Sequence, residues 1–242
     1  MNLLAFELST EACSVALHVE GRVLERFEIA PRRHAALALP WAEALLDEAG
    51  LKRAQLDAVA VGRGPGAFTG VRLAIAIAQG IALALDRPLL AVSTLQALAL
   101  RAPDDAEQVL AAIDARMGEV YVARYRRVAG LLELQGSEQV LAPQAVALPA
   151  GVRCHGVGTG FAAADGVLVT HLGGALHSVD AAALPRACDV LTLAVPAFAR
   201  GEGVAAERVE PAYLRDNVAL TLVEQQAARA EKVAKAKADA SS

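Results

Sequence analysis

The sequence predicts an α/β fold in which one structural unit is used twice, giving two subdomains, each a mixed sheet with flanking helices. Three observations predict it. The first hundred or so residues read as three strands followed by helix, strand, helix, strand and helix. Beyond Pro103-Asp104-Asp105 the chain begins again, since Ala5-Phe-Glu-Leu aligns with Ala112-Ile-Asp-Ala, and Val15-Ala16 with Val122-Ala123, without a gap. The repeated order of elements, more than the few matched letters, marks a duplicated unit. Finally, residues 58–61 form a short apolar run that enters a glycine loop and then a long apolar helix, the pattern of a buried parallel strand and its crossover. The expected division is 1–103, 104–218, and a tail at 219–242 rich in Ala, Lys, Glu and Gln that reads as a frayed helix or disordered segment.

Residues 3–8, 14–20 and 22–29, with Gly21 between the last two, read as an antiparallel meander. Pro31 ends it. Residues 35–49 then carry Leu39, Ala42, Leu45, Leu46 and Ala49 at helical spacing and close on Gly50, a C-terminal helix signal. Pro40 lies in the first turns, and the regular helix is expected to start there. The next helix starts near Phe68 or Thr69, after Gly62-Arg-Gly-Pro-Gly-Ala, because Thr favours the N-cap. On it Gly70, Ala74, Ala78 and Ala82 recur every four residues as a small face, beside a ridge of Leu73, Ile77, Ile81 and Leu85. Apolar on both faces, it should be covered by the sheet on one and by another helix, from this chain or a partner, on the other. Arg72 and Gln79 interrupt the run, which barely reaches the ~20 residues of a membrane span. A strand at 89–92 and a helix at 94–101 follow. The second half continues through 131–140, a segment at 143–148, a stretch at 152–160 that reads as a strand entering a glycine turn, a helix at 185–200 and an extended piece at 210–215.

With 242 residues, 55% hydrophobic and 21% charged, the chain can bury a sizeable core. The first residues lack the basic leader of a signal peptide. Cys13, Cys154 and Cys188 are odd in number and widely spaced, as expected of reduced, buried thiols in a cytoplasm. A formal net charge of −4 argues against a protein that grips nucleic acid unaided. The glycine loop matches a dinucleotide fingerprint only as Gly62-x-Gly64-x-x-Ala67, and no acidic residue closes the following strand. No Gly-Lys-Ser/Thr follows it, so it is not a P-loop. Its backbone amides at a helix N-terminus could hold an anion.

Two copies of this element order describe the actin/hexokinase-like (ASKHA, ribonuclease H-like) fold. Within it, 3–16, Gly62-Arg-Gly-Pro-Gly-Ala-Phe-Thr-Gly-Val-Arg72, Val92-Ser-Thr-Leu, Ala111-Ala-Ile-Asp-Ala-Arg-Met-Gly-Glu-Val-Tyr121 and Glu210-Pro-Ala-Tyr-Leu-Arg-Asp-Asn217 resemble the TsaB (YeaZ) family, over residues 1–218. The resemblance implies a non-catalytic paralogue of TsaD, the subunit that transfers a threonylcarbamoyl group to the adenosine beside the tRNA anticodon. It implies partners of TsaD and TsaE type, tRNA reached only through that complex, no membrane, no cofactor, and a homodimer when alone. Helices of the N-terminal half would form the interface, placed at Leu39, Ala42, Leu46, Gly70, Ala74 and Ala78. Glu7, where many relatives carry Asp, would form with Gly64, Gly66 and Asp114 a vestigial nucleotide or anion site.

The catalytic paralogue holds a metal on a His-x-x-x-His helix, but none of the five histidines, His18, His34, His155, His171 and His177, stand at that spacing. The alternative is an ATP-dependent small-molecule kinase of the same fold. It needs a glycine-bearing phosphate hairpin, and Ser9-Thr-Glu-Ala-Cys-Ser14 has no glycine; Asp114 beside Gly118 is the better-formed candidate. No Ser/His/Asp or Cys/His arrangement suggests a protease.

Overall fold

The computed structural model describes residues 1–215; the expected tail at 219–242 lies outside them. The first sheet holds β1 (Leu3–Glu7), β2 (Ala12–Val19), β3 (Arg22–Ile29), β4 (Ala58–Gly62) and β5 (Leu89–Val92) in the order β3-β2-β1-β4-β5. The hairpin connections make β1, β2 and β3 antiparallel, while β4 and β5 run parallel to β1 and its neighbour. Parallel pairing needs a crossover. It is supplied by α1 (His34–Glu48) before β4 and by α2 (Phe68–Leu85) before β5. Every residue of β1 and β4 is buried, because both faces of this sheet are covered; that is why these strands read as continuous apolar runs.

One face carries α1 and α2, whose Ala38, Ala42, Leu45, Val71, Ala74, Ile75, Ala78 and Ala82 join a core with Leu4, Phe6, Val15, Leu17, Val59 and Val61. Gly70 fixes how closely α2 approaches: a Cβ there would lie 2.0 Å from the carbonyl oxygen of Leu8. Although α2 is long and apolar enough to cross a membrane by length and composition, its small face is packed on this sheet. α1 begins at His34, ahead of Pro40, and the proline is carried inside the helix. Its end follows the expected glycine signal. Gly50 has φ +64, and the amides of Gly50 and Leu51 return to the carbonyls of Asp47 (3.0 Å) and Leu46 (2.9 Å).

After α3 (Thr94–Ala99), a second sheet holds β6 (Gln108–Arg116), β7 (Glu119–Val128), β8 (Leu131–Leu134), β9 (Gln139–Leu141), β10 (Cys154–Val157) and β11 (Leu176–Asp180). Its order, β11-β10-β6-β7-β8 with β9 also on β7, repeats that of the first, and β6, β10 and β11 are parallel. The chain is therefore a duplicated actin/hexokinase-like α/β fold. The two first hairpins differ in register, since Ala5 pairs with Ala16 whereas Ala112 pairs with Val122. A shift between Asp114 and Arg116 shortens the second hairpin, so the ungapped sequence match holds for one strand at a time. The expected run 131–140 is two strands, broken where Gly136 takes φ +93. α4 (Val167–Leu172) and β11 were not expected from the sequence; β11 is a largely exposed edge strand without an apolar run.

α5 (Ala187–Ala199) comes from the second half but packs on the open face of the first sheet. Ala187, Val190, Leu191 and Ala194 lie among Leu3, Ala5, Ala16, Ala58, Ala60, Leu90 and Val92. Beyond it the chain bridges to β5 through Leu89 and Val204 and hydrogen-bonds Arg63 O from Ala212 N at 2.8 Å.

Candidate functional site

Two features of the first half can meet a partner: the outer face of α1 and α2, and the cleft between the halves. The helix face differs from the sequence expectation. Ala42, Leu46, Gly70, Ala74 and Ala78 are all buried against the protein's own sheet, and of the six expected interface residues only Leu39, 48% exposed, faces solvent. The reason is physical. A small face goes wherever backbones must come closest, and here the closest neighbour is the end of β1. A spacing of four cannot say whether that neighbour is internal or foreign. The outward face of α2 is the ridge, with Leu73, Ile77, Ile81 and Leu85 half-buried and Ala76, Gly80 and Ala84 exposed. Leu37 and Trp41 of α1 flank the same core from the other helix. A Cβ on Gly80 would meet nothing within 4 Å.

The glycine loop is tied down from both sides. Gly64 N–H donates to the Thr94 hydroxyl (3.2 Å), Gly64 O accepts from Thr94 N (2.9 Å), and Ala67 N–H donates to Ser9 O (2.7 Å). A Cβ on Gly66 would come within 2.5 Å of that same Ser9 oxygen, so glycine is required by the hairpin lying on it. The amides of Gly64 and Ala67 are thus engaged by the protein, while the first turn of α2 has no side-chain cap.

Glu7 sits beneath this loop, 1% exposed. Its carboxylate accepts from Ser9 N–H (2.8 Å) and the Thr94 hydroxyl (3.1 Å). Gly62 makes room for it, since a side chain there would meet Glu7 Oε2 at 1.8 Å. Burial raises the Glu7 pKa, against the lowering effect of the Ser9 and Thr94 hydrogen bonds. Asp114 belongs to the other half and is bonded within its own hairpin, by Arg116 N–H and by the Arg116 guanidinium, both at 2.8 Å. Gly66 and Asp114 line one cleft, of about 990 Å³, while Glu7 and Gly64 do not reach it. The four expected anion-site residues are therefore not one constellation.

That cleft is lined by Ser9, Thr10, Arg32, His34, the start of α2, Asp114, Arg116, Tyr121 and residues 211–215. His34 donates its ring N–H to Thr10 O and Ala12 O, both at 3.1 Å, which fixes the start of α1 on the β1–β2 hairpin. Residues 210–215 cross the cleft like a strap. Arg215 pairs with Glu119 and reaches Ala115 O (3.3 Å), while the Tyr213 hydroxyl meets the Arg72 guanidinium. The sequence marks this piece as extended and as one of the family motifs, but nothing in it says that Tyr213 and Arg215 reach across the cleft. The cysteines offer no nucleophile, because burial holds Cys13 and Cys188 up at about 12 and Cys154 at about 11. Among the described residues no three His, Cys, Asp or Glu side chains gather as a metal site.

Residues 27–222 match the family described as TsaD: tRNA N6-adenosine threonylcarbamoyltransferase. A protein of Escherichia coli named tRNA threonylcarbamoyladenosine biosynthesis protein TsaB is 44% identical over 230 residues, covering 90% of this chain and 96% of its own length. A protein of the same name from Haemophilus influenzae is 40% identical, with 90% and 95% covered. The solved structure of YeaZ from Pseudomonas aeruginosa superposes with a TM-score of 0.82 at 52% identity, over 88% of this chain and 99% of that one. With the duplicated fold and similarity running nearly end to end, the chain belongs to the TsaB (YeaZ) family of tRNA threonylcarbamoyladenosine biosynthesis proteins.

Proposed function

We propose that the protein is a non-catalytic scaffold subunit that docks a TsaD-like catalytic paralogue in the cytoplasm, with a TsaE-like ATPase joining the pair and tRNA reached through the assembly. The observation that carries this is the outward ridge of α2, Leu73, Ile77 and Ile81 with Ala76 and Gly80 between them, flanked by Leu37 and Trp41 of α1. Contiguous apolar surface of this kind marks an interaction site, and the small residues between the ridge positions let a second helix approach. The silent role is supported by Glu7 being buried and hydrogen-bonded, by the Gly64 and Ala67 amides of the glycine loop being engaged, and by Asp114 being held by Arg116. Those commitments also weigh against phosphotransfer by this chain alone. The division into subdomains at 1–103 and 104–218 fits the same reading, with the docking helices in the first. In isolation the same face would pair two copies of the chain, as self-complementary apolar surfaces do.

The test is light scattering on a sizing column, with the protein alone and then mixed with the TsaD-like protein of the same cell. A defined heteromeric mass that Gly80→Arg abolishes is the expected result. Unchanged elution of both proteins, with and without the ATPase, would remove the reading.

A further inference from the structure

The mouth of the cleft between the halves concentrates a kind of surface found nowhere else among the described residues. Of the chain's nine aromatic residues, two are exposed, Phe68 at 60% and Tyr213 at 56%, and both line this cleft. Between them lies Arg72, its guanidinium carbon 3.2 Å from the Phe68 ring centroid and 5.0 Å from that of Tyr213. Arg32, Arg116 and Arg215 line the same cleft, against Glu11 and Asp114. Arg116 is neutralised by Asp114 and Arg215 by Glu119. Arg32 and Arg72 have no carboxylate partner among the described residues. The N-terminal end of α2, which has no side-chain cap, opens into the same space and adds to its positive potential. On a chain of net charge −4 this is a local inversion of sign.

We propose that this rim is a direct contact for single-stranded RNA, in which the solvent-facing sides of Phe68 and Tyr213 stack unpaired bases while Arg32 and Arg72 meet phosphates. Stacking on aromatic and guanidinium planes needs splayed bases, which duplex RNA does not offer. An acidic peptide would use the arginines but has no planar groups for the two rings. The position suits the purpose, because α2 carries the rim at its first turn and the proposed docking ridge along its length. RNA held by a docked catalytic subunit would pass beside the rim. The inference rests on the reading of this protein as part of a tRNA-modifying assembly, and it adds a contact that this chain itself makes.

The experiment is fluorescence anisotropy of the full chain with a labelled unstructured RNA of about twelve nucleotides, between about 50 and 200 mM salt, repeated on the complex with the catalytic partner. Tyr213→Ala and Phe68→Ala are expected to weaken binding by about tenfold each, in line with the loss of one stacked base, whereas Tyr213→Phe binds as the parent does. Arg32→Glu weakens binding and flattens its salt dependence, while Arg22→Glu, the same charge change on the far edge at β3, leaves it within about twofold. Circular dichroism melts show that each variant is folded. The proposal is overturned if both alanine variants bind RNA as the parent does, or if polyglutamate competes with the same dependence on Phe68 and Tyr213, which would make the rim a dock for an acidic protein. Ring-dependent RNA binding by the chain alone, with no complex formed, would retain the contact and remove the scaffold reading. A complex whose RNA binding ignores the rings would do the reverse.

Discussion

Asp189 is where burial and pairing conflict most plainly. It lies in the first turn of α5, 6% exposed, with Oδ1 3.4 Å from the Arg101 guanidinium and no partner for Oδ2 among the described residues. Arg101 is 37% exposed, so water screens its charge, and burial wins: the carboxyl is pushed up from 3.8 to about 6. An acid whose folded pKa is raised favours the fold while protonated in both states and loses that contribution as pH rises through the folded value. The Glu7 shift has the same sign. Stability should therefore fall as pH rises from about 4 to 7, with Asp189 contributing at most about 3 kcal/mol. Thermal midpoints across that range should drop for the parent and drop less for Asp189→Asn; an identical slope in both would reject the assignment. A second residue-scale expectation concerns Gly70. The methyl of Gly70→Ala would meet a backbone oxygen at 2.0 Å, which cannot move aside cheaply, so a loss of roughly 3 kcal/mol is expected in urea unfolding. An unchanged midpoint would mean that α2 can lift off β1. At this scale Glu7 is legible as an acidic residue late in the first strand, but not its partners. Its second donor, Thr94, and the space left by Gly62 come from other strands and loops, and no local spacing announces them.

On α2 the element was legible while its orientation was not. The period of four matches the helix and its two stripes, and the helix starts at Phe68, but its N-cap is Ala67 with no side-chain cap where Thr is expected, and the small stripe meets the sheet where a second helix is expected. The internal sheet takes the alanine stripe because the buried carbonyl of Leu8, just past the end of β1, admits only Gly70 at that point. The ridge is left to solvent or a partner. This makes two substitutions on one helix separable. Gly80→Arg points into open space and replaces a helix-interior glycine, so the fold should gain about 0.5–1 kcal/mol while association with the TsaD-like partner is lost. Ala74→Arg places an unpaired charge in the core and should cost about 3–5 kcal/mol, giving little soluble protein. Chemical unfolding beside a sizing column reads both. If Ala74→Arg folded normally and only Gly80→Arg were unstable, the two faces would have to be exchanged.

For the whole molecule, the duplicated order of elements is legible in the sequence, and the two sheets repeat it with β9 added to the second. The sequence does not show how the two copies are bound together. The helix expected at 185–200 is present as α5, but nothing in its own pattern says that it belongs on the first sheet, because any apolar sheet face would accept its Ala187, Val190, Leu191 and Ala194. In space it closes the face formed by Leu3, Ala5, Ala16, Ala58, Ala60, Leu90 and Val92, and its first turn is tied there by Ala187 N–H to the Ser14 hydroxyl (2.8 Å) and by Arg186 to Glu25 (2.9 Å). The first copy thus lacks one of its two covering layers until the second copy has been made. A fragment ending at residue 103 would expose that face to water, and a sheet with a bare apolar face does not hold a unique packing. It should be an expanded state that retains far-ultraviolet circular dichroism, binds a hydrophobic dye and melts without cooperativity. Supplying residues 104–215 as a second chain should restore a sharp transition. A fragment that melted cooperatively alone would mean that α1 and α2 suffice, and that α5 merely fastens the second half to a finished first one.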